Sequence, residues 1–221
     1  MSVPDPTLRF RRQLDLLPLD KLDVPITVIG AGAVGSFTVV AIAKMGLRQI
    51  HVFDDDHVEL GNLPSQFFTT ADVGRPKVHA LADMVRALAG TEIRGVERRF
   101  GGEPLRGIVV SAVDSMASRE AIWRAVRYDP SVTLYLDARM AALVSIVHVV
   151  RPCDVGDVRR YEASLHSDAE AYAAPCSGRS IIFTVLALAA TLARLVRMEL
   201  VGQELPREIT QDHQLGLLLT S

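Results

Sequence analysis

Ile26-Thr-Val-Ile-Gly-Ala-Gly-Ala-Val-Gly35 decides the fold of this chain. The run Ile26 to Ile29 is β-branched throughout, which predicts a short buried strand, as in a parallel sheet. Gly30, Gly32 and Gly35 follow at the G-x-G-x-x-G spacing. In that pattern the first glycine makes a tight turn. The second lets a phosphate approach the backbone, and the third lets the next helix pack close. A helix is expected from about Ala33 to Lys44, with Gly46 as its stop. Its first N–H groups lack intrahelical partners and lie at the positive end of the helix dipole, so they suit an anion.

Outward from this unit, Gln49 to Phe53 reads as a second strand, and Asp54 follows it 19 residues after Gly35. An acid at that point is placed to bind a ribose. The ordered set of strand, glycines, helix, strand and acid predicts a nucleotide site. The plainer reading is a glycine turn in an ordinary βαβ unit.

The stretch from Asp55 to Gln66 is long for a βα connection, which favours function over a minimal turn. Gly74-Arg-Pro-Lys77 opens a helix that reaches about Ala89, with Pro76 in its first turn. Lys77 either reaches phosphate from there or is a solvated lysine. Glu92 to Phe100 reads as a third strand and Gly107 to Val113 as a fourth, apolar on both faces. Asp114 stands at the carboxyl end of that fourth strand, where open α/β sheets bind ligands. It also stands where it could cap a helix over 117–127. Val132 to Leu136 and Val144 to Val150 are strands five and six, with Asp137-Ala-Arg139 after the fifth.

Residues 151–177, with Pro152, Gly156 and Pro175, read as a long polar loop. An apolar helix from about Ser180 to Val201 follows, and Gly202 stops it. Cys176 lies in the polar stretch before that helix, where a helix N-terminus lowers a thiol pKa. It reads equally as a nucleophile and as a small buried residue. Leu215 to Leu219 is a last strand or a docking segment. Residues 1–24 form an arm with Arg9, Arg11 and Arg12 and leucines at 14, 16, 17, 19 and 22; on its residues alone it reads as a solvated helix. The alternation as a whole predicts an α/β class. The expected architecture is Rossmann-like, a mixed, mainly parallel sheet with helices on both faces, in a single domain over 1–221.

The chain has 221 residues and is 49% hydrophobic, enough to bury a full core as one α/β domain. Its net charge of −2, with Lys and Arg dispersed, argues against nucleic acid as the main partner. Two cysteines, Cys153 and Cys176, exclude a disulfide scaffold and a four-cysteine zinc site. The six histidines lack metal-ligand spacing. The chain opens without an apolar signal segment. The longest apolar run, Ile181 to Ala193, is too short to span a bilayer. The expectation is a cytoplasmic protein with no membrane partner.

Five segments taken together resemble the ThiF/MoeB/HesA superfamily, the prokaryotic relatives of ubiquitin-activating enzymes. Arg9-Phe-Arg-Arg-Gln-Leu14 is similar to its N-terminal R-Y-x-R-Q-I, and Gly30 to Gly35 to its glycine loop. Asp54-Asp-Asp-His-Val-Glu-Leu-Gly-Asn-Leu63 matches D-x-D-x-V-x-x-x-N-L, the most specific of the set. Gly74 to Lys77 matches G-x-x-K, and Asp114-Ser115 with Arg119 matches an Asp-Asn/Ser pair followed by an arginine. The resemblance covers residues 9–140 well and the remainder loosely. The chain resembles a minimal member of the group.

The resemblance implies ATP-dependent adenylation of the C-terminal glycine of a ubiquitin-like or sulfur-carrier protein ending in Gly-Gly. Transfer to a sulfur nucleophile, for which Cys176 is the candidate, would follow. It implies that Asp54 holds the ribose, that Asn62 and Lys77 bind phosphate oxygens, that Gln66 is a further nucleotide-binding residue, and that Asp114 holds Mg²⁺. Asp56 is a second acid near the phosphates. No zinc is expected, since the cysteine pairs of many members are absent. It also implies a homodimer in which Arg12 reaches the other subunit's ATP. One departure stands out: the usual N-L-x-R-Q reads Asn62-Leu-Pro-Ser-Gln66 here, so Ser65 replaces a phosphate-binding arginine. Arg75 is the neighbouring arginine that could stand in. If none does, the expectation is weakened or lost activity, and a nucleotide-binding partner that has lost catalysis is the first alternative. The remaining alternative is a nicotinamide-dependent oxidoreductase, which shares the glycine loop and Asp54.

Overall fold

Strand β1 (Ile26–Ile29) pairs in parallel with β2 (Ile50–Phe53) on one side and with β4 (Gly107–Ser111) on the other. The computed structural model describes residues 6–165 and 180–221. Around this centre the sheet has the order β3-β2-β1-β4-β5-β6-β7-β8. The new members are β3 (Arg94–Val96), β5 (Val132–Ala141), β6 (Val144–Val150), β7 (Glu208–Asp212) and β8 (Leu217–Thr220). The pairings from β3 through β5 are parallel, and those from β5 to β8 are antiparallel. The mixed, mainly parallel sheet expected from the sequence is therefore present. Chain order reverses direction between β1 and β4, and ligands of open α/β sheets bind at the carboxyl ends of the strands at such a switch point.

Both faces are covered. Helices α2 (Ala33–Lys44), α3 (Lys77–Ala89) and α6 (Ile182–Leu200) pack on one side, where Ile42, Leu81 and Leu192 join Val28, Val110 and Leu136 in one core. Helices α4 (Met116–Val126) and α5 (Val155–Ala163) pack on the other, where Trp123 and Tyr161 join Ile29, Val109 and Tyr135. Successive strand residues thus feed opposite cores, which is why β1 and β4 are buried throughout and show no polar alternation beyond Thr27 and the terminal Ser111. Among the described residues no helix is long and apolar enough to cross a membrane.

Four sequence expectations need correction. Residues 151–177 are not one long loop, because they contain α5. Asp154 caps it by accepting from the Asp157 N–H at 2.8 Å, and Val158 and Tyr161 bury its inner face. Two apolar anchors in nine residues, with Gly156 among them, hid the helix. Second, β5 does not stop at Leu136. It runs on through Asp137 and Arg139 to Ala141 and turns directly into β6, with Ala142 at a φ of 53°. Third, β7 was not anticipated: of its five residues only Ile209 is buried, and it supplies the pairing that makes the tail strand β8.

Fourth, the N-terminal arm is not a solvated helix. Helix α1 is only Pro6–Phe10, and beyond it Leu17 and Leu22 are buried in the core of the domain. The Gln13 side chain donates to the Met45 carbonyl at 2.6 Å, Arg9 donates to the Ala89 carbonyl, and Arg197 of α6 donates to the Leu16 carbonyl at 2.8 Å. The Phe10 ring lies against Gly46, whose φ of 101° and lack of a side chain make the room.

Candidate functional site

The glycine loop is built as its spacing predicts. Gly30 has a φ of 99°, and a Cβ there would stand 2.5 Å from the Ala112 carbonyl oxygen, at the end of the neighbouring β4 strand. A Cβ on Gly35 would stand 1.8 Å from the Gly30 carbonyl oxygen, so only glycine lets α2 start this close to the turn. Gly32 is different. Its surroundings are open, and the nearest atom to a Cβ would be the Gln66 Nε2 at 3.9 Å. Gly32 is also the N-cap of α2 and offers no side chain to it. The first N–H groups of the helix therefore face an open space rather than a capping oxygen.

Asp54 ties this loop to the end of β2. Its Oδ2 accepts from the Ala31 N–H at 2.6 Å and its Oδ1 from the Asp56 N–H at 2.8 Å. Burial holds its carboxyl above the ordinary value, against those two N–H groups and the Lys77 charge, which act the other way. Each oxygen keeps a lone pair for a further donor, such as a hydroxyl. Lys77 is 5% exposed at the first turn of α3, and its Nζ donates to Asp56 Oδ2 at 2.7 Å. The Lys77 N–H also donates to the Asp56 carbonyl at 2.9 Å, so the two residues are fixed at both backbone and side chain. Asp56 itself is exposed. A buried ammonium thus faces an exposed carboxylate that an anion could replace.

Asn62 and Gln66 flank the open space. Asn62 Oδ1 accepts from the Glu59 N–H at 3.0 Å, leaving its amide hydrogens as the donors it can offer. Gln66 Oε1 is buried without a hydrogen-bond partner, while Nε2 borders Gly32. The unsatisfied oxygen is an acceptor and calls for a donor, while the Nε2 beside Gly32 is the group that could donate to an anion. Arg75 does not fill the place left by Ser65. It is held on the outer side of α3 by Asp72 at 2.8 Å and by Asp83.

Asp114 is exposed beyond the end of β4, one strand from the glycine loop. It does not cap α4. Ser115 does, accepting from the Ser118 N–H at 3.2 Å. Asp114 is thereby spared that role. A carboxylate oxygen from each of Asp54, Asp55 and Asp56 lies within 4.8 Å of the others. Hard divalent cations prefer such oxygens, one or two from the protein together with phosphate and water, so the donors present fit Mg²⁺.

One sequence candidate, Arg12, is not brought to this place, and for another the structure is silent. Cys176 lies outside the described residues. Arg12 is exposed in the arm, and the arm is anchored at Met45 and Ala89. Those residues directly precede β2 and β3, at the amino ends of the strands. Helix α2 alone, at 12 residues, puts about 18 Å between Met45 and the glycine loop. Arg12 is therefore on the side of its own subunit away from Gly32.

A cluster that sequence reading missed lies behind Asp114. Asp137 is fully buried on β5 and paired with Arg119 and, at 2.8 Å, with Arg139. Tyr161 donates to it at 3.1 Å. His148 packs edge-on against Tyr161, with Nδ1 3.0 Å from Glu208. Burial, with the charges of Arg139, Arg119 and Arg160, pushes the His148 pKa down to about 4. The ring is neutral at pH 7. In the unfolded chain it titrates near 6.5, so the unfolded state binds more protons between 6.5 and 4. This contribution is fully present above pH 6.5 and is lost as pH falls towards 4, by about 3 kcal/mol in total. The urea midpoint of the wild type should therefore drop more steeply over that range than that of His148→Gln. Parallel curves would remove His148 from the account.

The ThiF family matches residues 19–215. The sulfur carrier protein ThiS adenylyltransferase of Escherichia coli (strain K12) is 32% identical over 129 residues, 52% of this chain and 51% of that protein. The adenylyltransferase and sulfurtransferase MOCS3 of Arabidopsis thaliana is 38% identical over 96 residues, 40% of this chain and 20% of that protein. The chain spans about half the length of the first of these relatives and less of the second. Among solved structures, E. coli MccB with ATP superposes with a TM-score of 0.76 at 16% identity, over 96% of this chain and 70% of that one. PaaA superposes with a TM-score of 0.77 at 17% identity, over 100% of this chain and 74% of that one. At such identities the two structures establish a shared fold.

Proposed function

The chain belongs to the ThiF family, and on that premise we propose that it is an ATP-dependent adenylyltransferase acting on the C-terminal glycine of a ubiquitin-like or sulfur-carrier protein ending in Gly-Gly. The carrier carboxylate attacks the α-phosphorus of ATP, pyrophosphate leaves, and an acyl-adenylate forms. Similarity to proteins named as adenylyltransferases supports the reaction class. The observation that carries the proposal is Lys77: a nearly buried cation beside the glycine loop, opposite an exposed acid. A dinucleotide oxidoreductase accounts for the glycine loop and Asp54, but not for Asn62, Lys77 and Asp114 together.

In this reading Gly30, Gly32 and Gly35 shape the phosphate cradle and the α2 N–H groups line it. Asp54 receives a ribose hydroxyl. Asn62, Gln66 and Lys77 hold phosphate oxygens, with ATP displacing Asp56 from Lys77. Asp114 holds Mg²⁺, aided by Asp56. The bound ion would neutralise charge on the phosphates. The chemistry needs little beyond alignment of carboxylate and phosphorus and compensation of growing charge. A second copy of the chain supplies Arg12. Cys176 is the proposed acceptor if a thioester or sulfur-transfer step follows. A cytoplasmic location suits a reaction that consumes ATP.

Calorimetric titration separates this reading from its rivals. MgATP is expected to bind and NAD not to. Tight NAD binding without ATP binding would overturn the proposal. Ser65 and the engagement of Arg75 elsewhere favour one second reading, a nucleotide-binding partner that has lost catalysis. That reading predicts MgATP binding with no ATP–pyrophosphate exchange in the presence of the carrier.

A further inference from the structure

The connection from β4 to α4 carries Asp114 and is only four residues long, from Ala112 to Ser115. It is held at both ends. The Ala112 N–H donates to the Ile29 carbonyl at 2.8 Å, and Ser115 caps α4. It is also held in the middle. Arg119, 5% exposed on the first turns of α4, turns back and donates to the Val113 carbonyl, the peptide group that precedes Asp114. The same guanidinium donates to the Ala138 carbonyl at 2.9 Å and to Asp137.

Asp137 is the hub of this arrangement. It is fully buried, so its charge must be paired to be tolerated, and its two oxygens divide between Arg119 on one side and Arg139 with Tyr161 on the other. Arg139 goes on to the Ser164 carbonyl at 2.9 Å and the Ser164 hydroxyl at 3.0 Å, at the end of α5. Replacing the carboxylate would leave one buried and one partly buried guanidinium, Arg119 and Arg139, without their shared counter-charge. Arg119 would then lose the contact that aims its second amino group at Val113. A planar fork can span these partners; a lysine in its place has one nitrogen and cannot.

We propose that Asp137 is a positioning residue: through Arg119 it fixes the Val113 carbonyl, and thereby the direction in which Asp114 presents its carboxylate to a metal–nucleotide. The inference rests on the reading of Asp114 as the metal-holding carboxylate. Groups one step removed from a metal orient the ligands that touch it, and their loss typically costs about 10- to 100-fold in metal affinity.

The test is a double-mutant cycle on the full chain, with Mn²⁺ and a non-hydrolysable ATP analogue, AMPCPP, as the probe. Mn²⁺ affinity is read by electron paramagnetic resonance. Asp137→Asn and Arg119→Lys should each weaken Mn²⁺ by about 10-fold. In an Asp114→Ala background each should add less than about 2-fold, because the carboxylate being positioned is gone. A purely structural role predicts the same loss on both backgrounds, and that result overturns the proposal, as does no loss in the single variants. Circular dichroism checks the fold of each protein. If Asp137→Asn does not fold, the Arg119→Lys cycle decides alone. If Asp114→Ala itself binds Mn²⁺ as wild type does, the reading of Asp114 has failed, and the inference with it. A loss at Asp114 with none at Asp137 and Arg119 refutes the inference alone.

Discussion

Asp114→Ala is expected to reduce ATP–pyrophosphate exchange, measured with a Gly-Gly carrier, by about 100-fold or more, the scale seen when one preorganised electrostatic group is lost. Melting temperature should stay close to wild type. Asp114 is exposed and the α4 cap belongs to Ser115, so truncation removes no buried contact and no capping bond. Surface changes of that kind stay within about 0.5 kcal/mol of stability. The loss should fall on kcat more than on the KM for ATP. Charge on the phosphates grows as pyrophosphate departs, and an ion held in place counts most at that moment. In the proposed reading the remaining nucleotide contacts would come from other elements, the glycine loop, Asp54 and Lys77. Exchange at the wild-type rate in this variant would remove Asp114 from the site. A large rise in KM with kcat unchanged would recast it as a binding residue only.

The parts that were legible in the sequence are those where one residue type does one local job. Glycines at 30, 32 and 35 dictate the turn, the opening and the close helix start, and all three are present in the folded loop. A β-branched run marked β1 and an apolar run marked β4 because both faces of those strands are covered. Lys77 and Asp54 could be placed because each directly follows a boundary signal, Pro76 before a helix and the end of β2 after one.

The parts that were not legible depend on contacts between distant segments. Asp137 looked like a loop residue because an acid after Leu136 normally ends a strand. Its burial is tolerated only because Arg119, from 18 residues earlier, arrives with the opposite charge. Helix α5 and strand β7 carry too few apolar residues to announce themselves and are held by what they pack against: Trp123 and Tyr135 for Tyr161, and β6 for Ile209. The arm was misjudged for the same reason. Its leucines are spaced for no regular helix, yet Leu17 and Leu22 fit the hollow beside α2 and α6. Arg75 as a substitute for the missing arginine failed on geometry that sequence distance concealed: it is ten residues from Ser65 but on the far side of α3.

Arg12 leads to the second large effect, a recovery of activity on mixing two dead proteins. Fixed by Gln13 to Met45 and by Arg9 to Ala89, the arm lies at the amino ends of the strands, and the glycine loop lies at their carboxyl ends. An Arg12 acting in its own subunit would have to abandon those contacts and cross about 18 Å. If it acts at a site, that site is another subunit's. Surface is available for such an assembly. Helix α6 buries Val185, Leu188 and Leu192, yet leaves Ile182, Phe183 and Leu186 exposed, and β8 exposes Leu217, Leu218 and Leu219 along the open edge of the sheet. A two-fold interface, the commonest for homo-oligomers, would cover such surface twice over. An arginine supplied across it would tie catalysis to assembly, as arginine fingers do. Arg12→Ala and Asp114→Ala are each expected to lose most exchange activity. In a mixed dimer completed in trans, one site carries both lesions and the other carries neither. With random reassortment of equal amounts, half the dimers are mixed and each has one intact site, so about a quarter of wild-type activity per subunit should return. If Arg12 served its own subunit, every site in the mixture would keep one lesion and activity would stay at the level of the parents. Sedimentation of the wild type at assay concentration provides the independent check, since a monomer there ends the trans reading regardless of the mixing result.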